Sequence, residues 1–176
     1  MLYFITGNKN KFHEVQMVLP NIQQLNIDLP EIQSLNSQEV LSEKLKIAHT
    51  LHLDKSFIVE DTSLVFDAWN GLPGPLIKWY LETVGDQWLW QMLSSFENKK
   101  AAAICTIGYN DGWVMQFFEW KTIGTIVEPK TVSPFGRDAL FQPDGFDITF
   151  ADMTKEDKWM ISHRGKALKK LEEFLN

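Results

Sequence analysis

The chain has 176 residues, 44% hydrophobic and 23% charged, enough apolar material to bury a substantial core in one domain spanning 1–176. With 17 Lys and Arg against 23 Asp and Glu the formal net charge is -6, the wrong sign for a protein that coats nucleic acid by neutralising phosphates. The single cysteine, Cys105, excludes an intrachain disulfide and a cysteine-rich zinc site, and no apolar run reaches the about 20 residues that cross a bilayer, so a cytoplasmic protein without a membrane partner is expected.

Leu2 to Ile5 form a short apolar run that stops at Thr6-Gly7-Asn8, after which Phe12, Val15, Val18 and Leu19 recur at helical spacing until Pro20. This reads as a buried first strand, a tight turn and a helix. Leu25, Ile27 and Leu29 alternate with Gln24, Asn26 and Asp28, which predicts a strand ending at Pro30-Glu31. Between Asn36 and Leu53, Leu41, Leu45, Ala48 and the neighbouring Leu51 share one helical face, and Asn36 followed by Glu39 resembles a capping box. Phe57-Ile58-Val59 is an apolar run too short for a helix; it predicts a strand buried on both faces that delivers Glu60-Asp61-Thr62-Ser63 at its C-terminal end.

The run from Asn70 to Pro75 predicts a loop, followed by helices over Leu76 to Val84 and Asp86 to Phe96 with Gly85 between them. Ala101 to Tyr109 and Trp113 to Trp120 read as strands joined through Asn110-Asp111-Gly112, a strong hairpin signal, and Thr122 to Val127 as a further strand. An irregular stretch follows Pro129. Ser162 then serves as an N-cap for a last helix burying Ala167, Leu168, Leu171, Phe174 and Leu175. A βαβ-like start with an antiparallel middle argues for an α/β protein with a mixed sheet.

Three groups of residues stand where chemistry is possible. Thr6-Gly7-Asn8-Lys9-Asn10-Lys11 occupies a strand-to-helix turn, reading either as an anion site with Lys11 as a point charge or as a glycine turn with a solvated lysine. It lacks the Walker spacing. Glu60-Asp61, with Glu31 ending a neighbouring strand, reads either as a carboxylate set for a hard cation such as Mg²⁺ or a water-activating base, or as strand-ending turns. Ser162-His163-Arg164 offers a hydroxyl, an imidazole and a five-donor guanidinium, or a plain helix cap with surface residues beside it. A Ser-His nucleophile is not expected, since adjacent residues at a helix start do not face each other. His49 and His52 lie three apart with no third ligand and read as a solvated helix face.

Taken in order, Thr-Gly-Asn-x-x-Lys-x-x-Glu at Thr6 to Glu14, Asp-Leu-Pro-Glu at Asp28 to Glu31, Val-Glu-Asp-Thr-Ser-Leu at Val59 to Leu64 and Gly-Leu-Pro-Gly-Pro at Gly71 to Pro75 resemble the inosine triphosphate pyrophosphatase family, the non-canonical purine nucleoside triphosphate pyrophosphatases. Phe-Gly-x-Asp at Phe135 to Asp138, Phe-Gln-Pro-Asp-Gly at Phe141 to Gly145 and Ser-His-Arg at Ser162 to Arg164 extend the resemblance over essentially the whole chain. It implies a two-lobed α/β fold with an elongated mixed sheet flanked by helices, a nucleotide cleft between the lobes, a homodimer, and Mg²⁺-dependent hydrolysis of ITP, dITP and XTP to the monophosphate and pyrophosphate.

The resemblance further implies Asp61 as the water-activating base, with Glu31, Glu60 and Asp61 around Mg²⁺ and with Lys11, Lys44 and Lys158 neutralising polyphosphate charge. Thr6, Gly7, Asn8, Asp138, Ser162 and His163 would join in binding the substrate, with Phe135, Arg137 and Arg164 at its base. Arg164 only donates hydrogen bonds, so it suits a 6-oxo group and meets a 6-amino group donor to donor. The sequence departs from the family pattern at Arg137, where an aromatic residue is usual, at Ala139 and at Trp159. Rival readings are a related pyrophosphatase of different base preference, such as the Maf-like group, and a nucleotide-binding homologue without turnover.

Overall fold

The computed structural model describes residues 1–131 and 136–176; Phe135, expected in the base site, lies outside the described residues. Strand β1 (Leu2–Ile5) runs into helix α1 (Lys9–Val18), where the Asn8 side chain caps the helix by accepting from the Asn10 and Lys11 amides. Strand β2 (Gln23–Leu25) pairs parallel with β1, in the register Tyr3 with Gln23 to Ile5 with Leu25. The strand is shorter than its alternation predicts. β1 ends at Ile5, so Asn26 to Leu29 have no ladder to join, although Leu29 still turns its side chain into the core.

Helix α2 (Ser37–Leu51) begins at its expected cap, with Asn36 Oδ1 accepting from the Gln38 amide at 3.0 Å. The reciprocal half of the capping box is absent: Glu39 accepts instead from the Ser34 hydroxyl, which itself accepts from the Asn36 amide. Leu41, Leu45 and Ala48 are fully buried, whereas Leu51 at the helix end is exposed.

Strand β3 (Ser56–Phe66) corrects the expectation for the central strand. It does not end at Val59 but continues through Glu60 and Asp61 into a second buried stretch, Leu64 to Phe66. The continuation follows from a change of partner. Ser56 to Ile58 pair parallel with β1, whereas Leu64 and Val65 pair antiparallel with β4 (Pro73–Gly74). Glu60 and Asp61 sit between these two pairings, past the carboxyl end of the parallel one, so the ligand rule for open α/β sheets applies to the pairing and not to the strand end.

Helices α3 (Ile77–Thr83) and α4 (Gly85–Ser94) are separated as expected. Strands β5 (Lys100–Asn110) and β6 (Met115–Ile126) are joined at a tight turn. In it Asp111 Oδ1 accepts from the Trp113 and Val114 amides at 2.9 and 2.8 Å. The predicted further strand over Thr122 to Val127 is not separate: β6 is continuous, because its distal part pairs with β7 (Phe141–Pro143) in the stretch expected to be irregular. Before β7 lies a short 3-10 turn, Gly136–Ala139. Helix α5 (Lys155–Ile161) was not legible from apolar spacing, though Thr154 and Asp157 cap it reciprocally, with Thr154 Oγ1 accepting from the Asp157 amide and donating to Asp157 Oδ2. Helix α6 (His163–Leu175) buries Ala167, Leu168 and Leu171. Phe174 and Leu175 are partly exposed, against expectation, because the face runs off the core in the last turn; Phe174 keeps edge contact with Tyr109.

Among the described residues the sheet has seven strands, in the order β2-β1-β3-β5-β6-β7 with β4 on β3, and six α-helices accompany it. The chain packs as two compact units, 1–61 with 105–120 and 166–176, and 62–104 with 121–165. The first is organised around Leu29, Leu41, Leu45, Ala48, Phe57 and Val59, the second around Leu64, Phe66, Ile77, Leu89, Leu93, Phe141 and Phe150. Among the described residues no helix is long and apolar enough to cross a membrane.

Candidate active site

In the first unit the functional side chains come from four separate segments. β3 contributes Glu60 and Asp61, α1 contributes Lys11, α2 contributes Ser37 and Lys44, and the segment after β2 contributes Glu31. Each charge has a partner. Lys11 Nζ lies 3.1 Å from Glu60 Oε1, whose side chain is only 2% exposed, and Lys44 is joined to Glu31. The Ser37 hydroxyl donates to Asp61 Oδ2 at 2.6 Å. A buried carboxylate without such partners would be costly to keep ionised.

Burial holds the Asp61 carboxyl above its ordinary value of 3.8, and the charge of Glu31 pushes the same way; the Ser37 hydrogen bond and the charges of Lys11 and Lys44 oppose it. Glu31, Lys11 and Lys44 thus all act on the Asp61 carboxyl, the first raising its proton affinity and the two lysines lowering it. A carboxylate whose proton affinity is raised in this way is suited to accept a proton from water.

Glu31 does not end a strand, as the sequence suggested, but sits in the coil that replaces the distal half of the predicted β2. Glu31, Glu60 and Asp61 supply hard oxygen donors, which fit a divalent cation such as Mg²⁺ by donor type. As placed, they are turned to Lys44, Lys11 and Ser37, and among the described residues no three Asp, Glu, His or Cys side chains converge as a ligand set.

The turn at Thr6 to Lys11 is tied internally. The Thr6 hydroxyl oxygen accepts from the Asn8 amide at 3.1 Å, and Asn8 occupies two amides at the start of α1. Gly7 sits where a Cβ would come within 3.2 Å of Asn26 Oδ1. What the turn presents is the Lys11 ammonium at Glu60, more than a bare helix end.

The second unit holds the other cluster. Ser162, His163 and Arg164 are 4%, 2% and 4% exposed, so the sequence alternative of first-turn surface residues does not hold. Ser162 is nevertheless the expected cap, its Oγ accepting from the Gly165 amide at 3.1 Å. The corner between α5 and α6 is very close: a Cβ on Gly165 would overlap the Trp159 carbonyl oxygen, so only glycine fits. His163 packs at 5.9 Å from the Phe150 ring, which also lies 5.9 Å beneath the Lys158 ammonium. Lys158 Nζ is 2.5 Å from Asp138 Oδ2, an ion pair with its carboxylate side chain 4% exposed. Asp138 and Lys158, picked out separately in the sequence, are thus one structural pair. Arg137, beside Asp138 in the 3-10 turn, is half-buried.

His49 and His52 are not a solvated face. His49 packs under the β5–β6 turn, where Gly112 has φ +93° and a Cβ would come within 2.6 Å of His49 Cε1, and His52 leans on Phe57 with ring centroids 6.1 Å apart. The residue that sequence reasoning missed is Ser37. Its partner is 24 positions away, and only its place at the first position of a capped helix marked it.

This arrangement of sheet and helices is shared by Ham1 proteins of known structure: the Ham1 protein of Staphylococcus aureus superposes with a TM-score of 0.86 at 24% identity, covering 99% of this chain and 97% of that one. Residues 2–174 match the Ham1 family, and the chain belongs to it. The chain is also similar to inosine triphosphate pyrophosphatases of Scheffersomyces stipitis and Batrachochytrium dendrobatidis. The first is 45% identical, over 98% of this chain and 96% of the relative, and the second 46% identical, over 97% and 92%.

Proposed function

We propose that the protein hydrolyses non-canonical purine nucleoside triphosphates, ITP, dITP and XTP, to the monophosphate and pyrophosphate. The observation that carries this reading is kinship over nearly the full chain with proteins named inosine triphosphate pyrophosphatase, in a chain whose Asp61 is a carboxylate of raised proton affinity beside two lysines. In the proposed reaction the oxygen of water bonds to the α-phosphorus, the bond to the bridging oxygen breaks, and that oxygen leaves with pyrophosphate. The water proton passes to Asp61. Lys11 and Lys44 offset the charge of the phosphates, as positioned cations do at phosphoryl groups.

Glu31, Glu60 and Asp61 would hold Mg²⁺, which when bound supplies further neutralisation of the polyphosphate. The lysines that now pair with Glu31 and Glu60 give these carboxylates partners that a phosphate and a cation can exchange. Arg164 reads the 6-oxo group and rejects a 6-amino group, Ser162 holds the corner that aims it, and Lys158, held by Asp138 until substrate arrives, adds a third positive charge for the polyphosphate. A homodimer in the cytoplasm belongs to the same proposal.

The test is pyrophosphate release from ITP, XTP, dITP, GTP and ATP with and without Mg²⁺. ITP or XTP is expected to exceed ATP at least about 100-fold in kcat/KM, a gap of about 2.7 kcal/mol. Equal rates on ITP and ATP would overturn the specificity, and binding of ITP without release would identify a homologue without turnover.

A further inference from the structure

Helix α2 faces the carboxylates with two polar side chains, Ser37 and Lys44, spaced seven apart and therefore two turns along one face. Leu41 and Leu45, buried on that side of the helix, seat it in the core of the first unit. The helix start is fixed in three ways: Asn36 caps the Gln38 amide, Ser34 accepts from the Asn36 amide, and the Ser34 hydroxyl is tied to Glu39. Ser37 therefore stands on a rigid mount, and its hydroxyl reaches across to Asp61 Oδ2 at 2.6 Å. That is a short hydrogen bond of the charge-assisted kind.

We infer that Ser37 is a positioning residue for the reaction, setting the rotamer and plane of the Asp61 carboxylate through this bond. The inference rests on the proposed function and deepens it by adding a residue that acts through the base. The physical reason is entropic and geometric. An aspartate has two side-chain torsions, and on an extended strand both common χ1 wells are open to it. A donor fixed to a neighbouring helix selects one arrangement before substrate arrives. A proton acceptor displaced by even about an ångström from its productive place loses much of its effect. The contribution falls on turnover and not on substrate affinity, because Ser37 holds the acceptor and not the nucleotide.

The test compares two isosteres, Ser37→Thr and Ser37→Val, with Ser37→Ala and wild type, using pyrophosphate release from ITP with Mg²⁺. The threonine keeps the hydroxyl and is expected to stay within about threefold of wild type. Valine and alanine are each expected to lower kcat about tenfold, or about 1.4 kcal/mol, with KM changed less than about twofold. Ser34→Ala, which loosens the start of α2 but leaves the Ser37 hydroxyl in place, is expected to lower kcat clearly less than Ser37→Ala does, while its melting temperature drops. A loss in the Ser34 variant equal to that of Ser37→Ala would overturn the role, as would equal losses in the threonine and valine variants or a change confined to KM. If wild type releases pyrophosphate from no triphosphate, the functional reading itself falls. If wild type is active and Ser37→Val matches it, only the positioning role falls.

Discussion

The two units place their polar groups in opposite ways. The first unit assembles Glu31, Lys44, Lys11, Glu60, Ser37 and Asp61 from scattered segments and matches each with a partner on another segment. The second takes a contiguous tripeptide, Ser162 to Arg164, and buries all of it at a corner too tight for a methyl group. Pairs of side chains on different elements can exchange partners at small cost, which suits chemistry in which a proton and a polyphosphate come and go. A buried corner cannot rearrange cheaply, which suits discrimination between bases whose edges differ by one donor or acceptor.

The largest expected effect separates the units most sharply. Asp61→Asn should lower kcat by about 100-fold or more, the size of general-base work, measured by pyrophosphate release from ITP. The same substitution should not weaken the fold. Since burial raises the Asp61 carboxyl above 3.8, the native state holds that proton more tightly than the unfolded chain does. The group's contribution to stability therefore falls as pH rises through the raised value, and at neutral pH the ionised carboxylate is a cost. Melting curves should show Asp61→Asn at least as stable as wild type at pH 7, with any advantage shrinking below pH 4. A large drop in melting temperature with turnover intact would reverse the roles assigned to this unit.

Gly165→Ala should do the converse in the second unit. The added methyl forces the Trp159 carbonyl aside, an overpacking that costs about 1–3 kcal/mol by denaturant unfolding. Its effect on activity should appear as lost preference for ITP over ATP more than as lost turnover, because it moves Arg164 and not Asp61. A smaller change is expected of Arg164→Gln. A carboxamide accepts as well as donates, so it can meet a 6-amino group, and the ratio of kcat/KM for ITP to that for ATP should fall about tenfold, close to 1.4 kcal/mol. An unchanged ratio would remove Arg164 from base recognition.

The smallest effect concerns Arg137, half-buried beside the Asp138–Lys158 pair. A planar guanidinium stacked on a purine contributes about 0.5–2 kcal/mol. Arg137→Ala should then weaken ITP binding about three- to thirtyfold while Arg137→Trp largely preserves it, measured as affinity with Ca²⁺ in place of Mg²⁺. Equal affinity in the alanine variant and wild type would end the stacking role.

What the sequence determined by itself is local in the chain. The Asn8 and Asn36 caps, the break at Gly85, the turn after Asn110 and the Ser162 cap all rest on contacts a few residues apart, where side-chain chemistry acts directly on the neighbouring backbone. The candidate residues were legible for the same reason, as short motifs. The tertiary structure decided where strands stop and what the polar side chains meet. β2 is short because β1 offers no further edge, β3 is long because β1 and β4 pair with separate stretches of it and β5 is its other neighbour, and β6 is unbroken because β7 returns to pair with it. Ser37 finding Asp61 and Lys158 finding Asp138 are contacts across 24 and 20 positions. No periodicity or propensity encodes such pairs. They follow only once burial of the apolar faces has brought the elements together, and the polar groups then settle on whichever partners lie within hydrogen-bond reach.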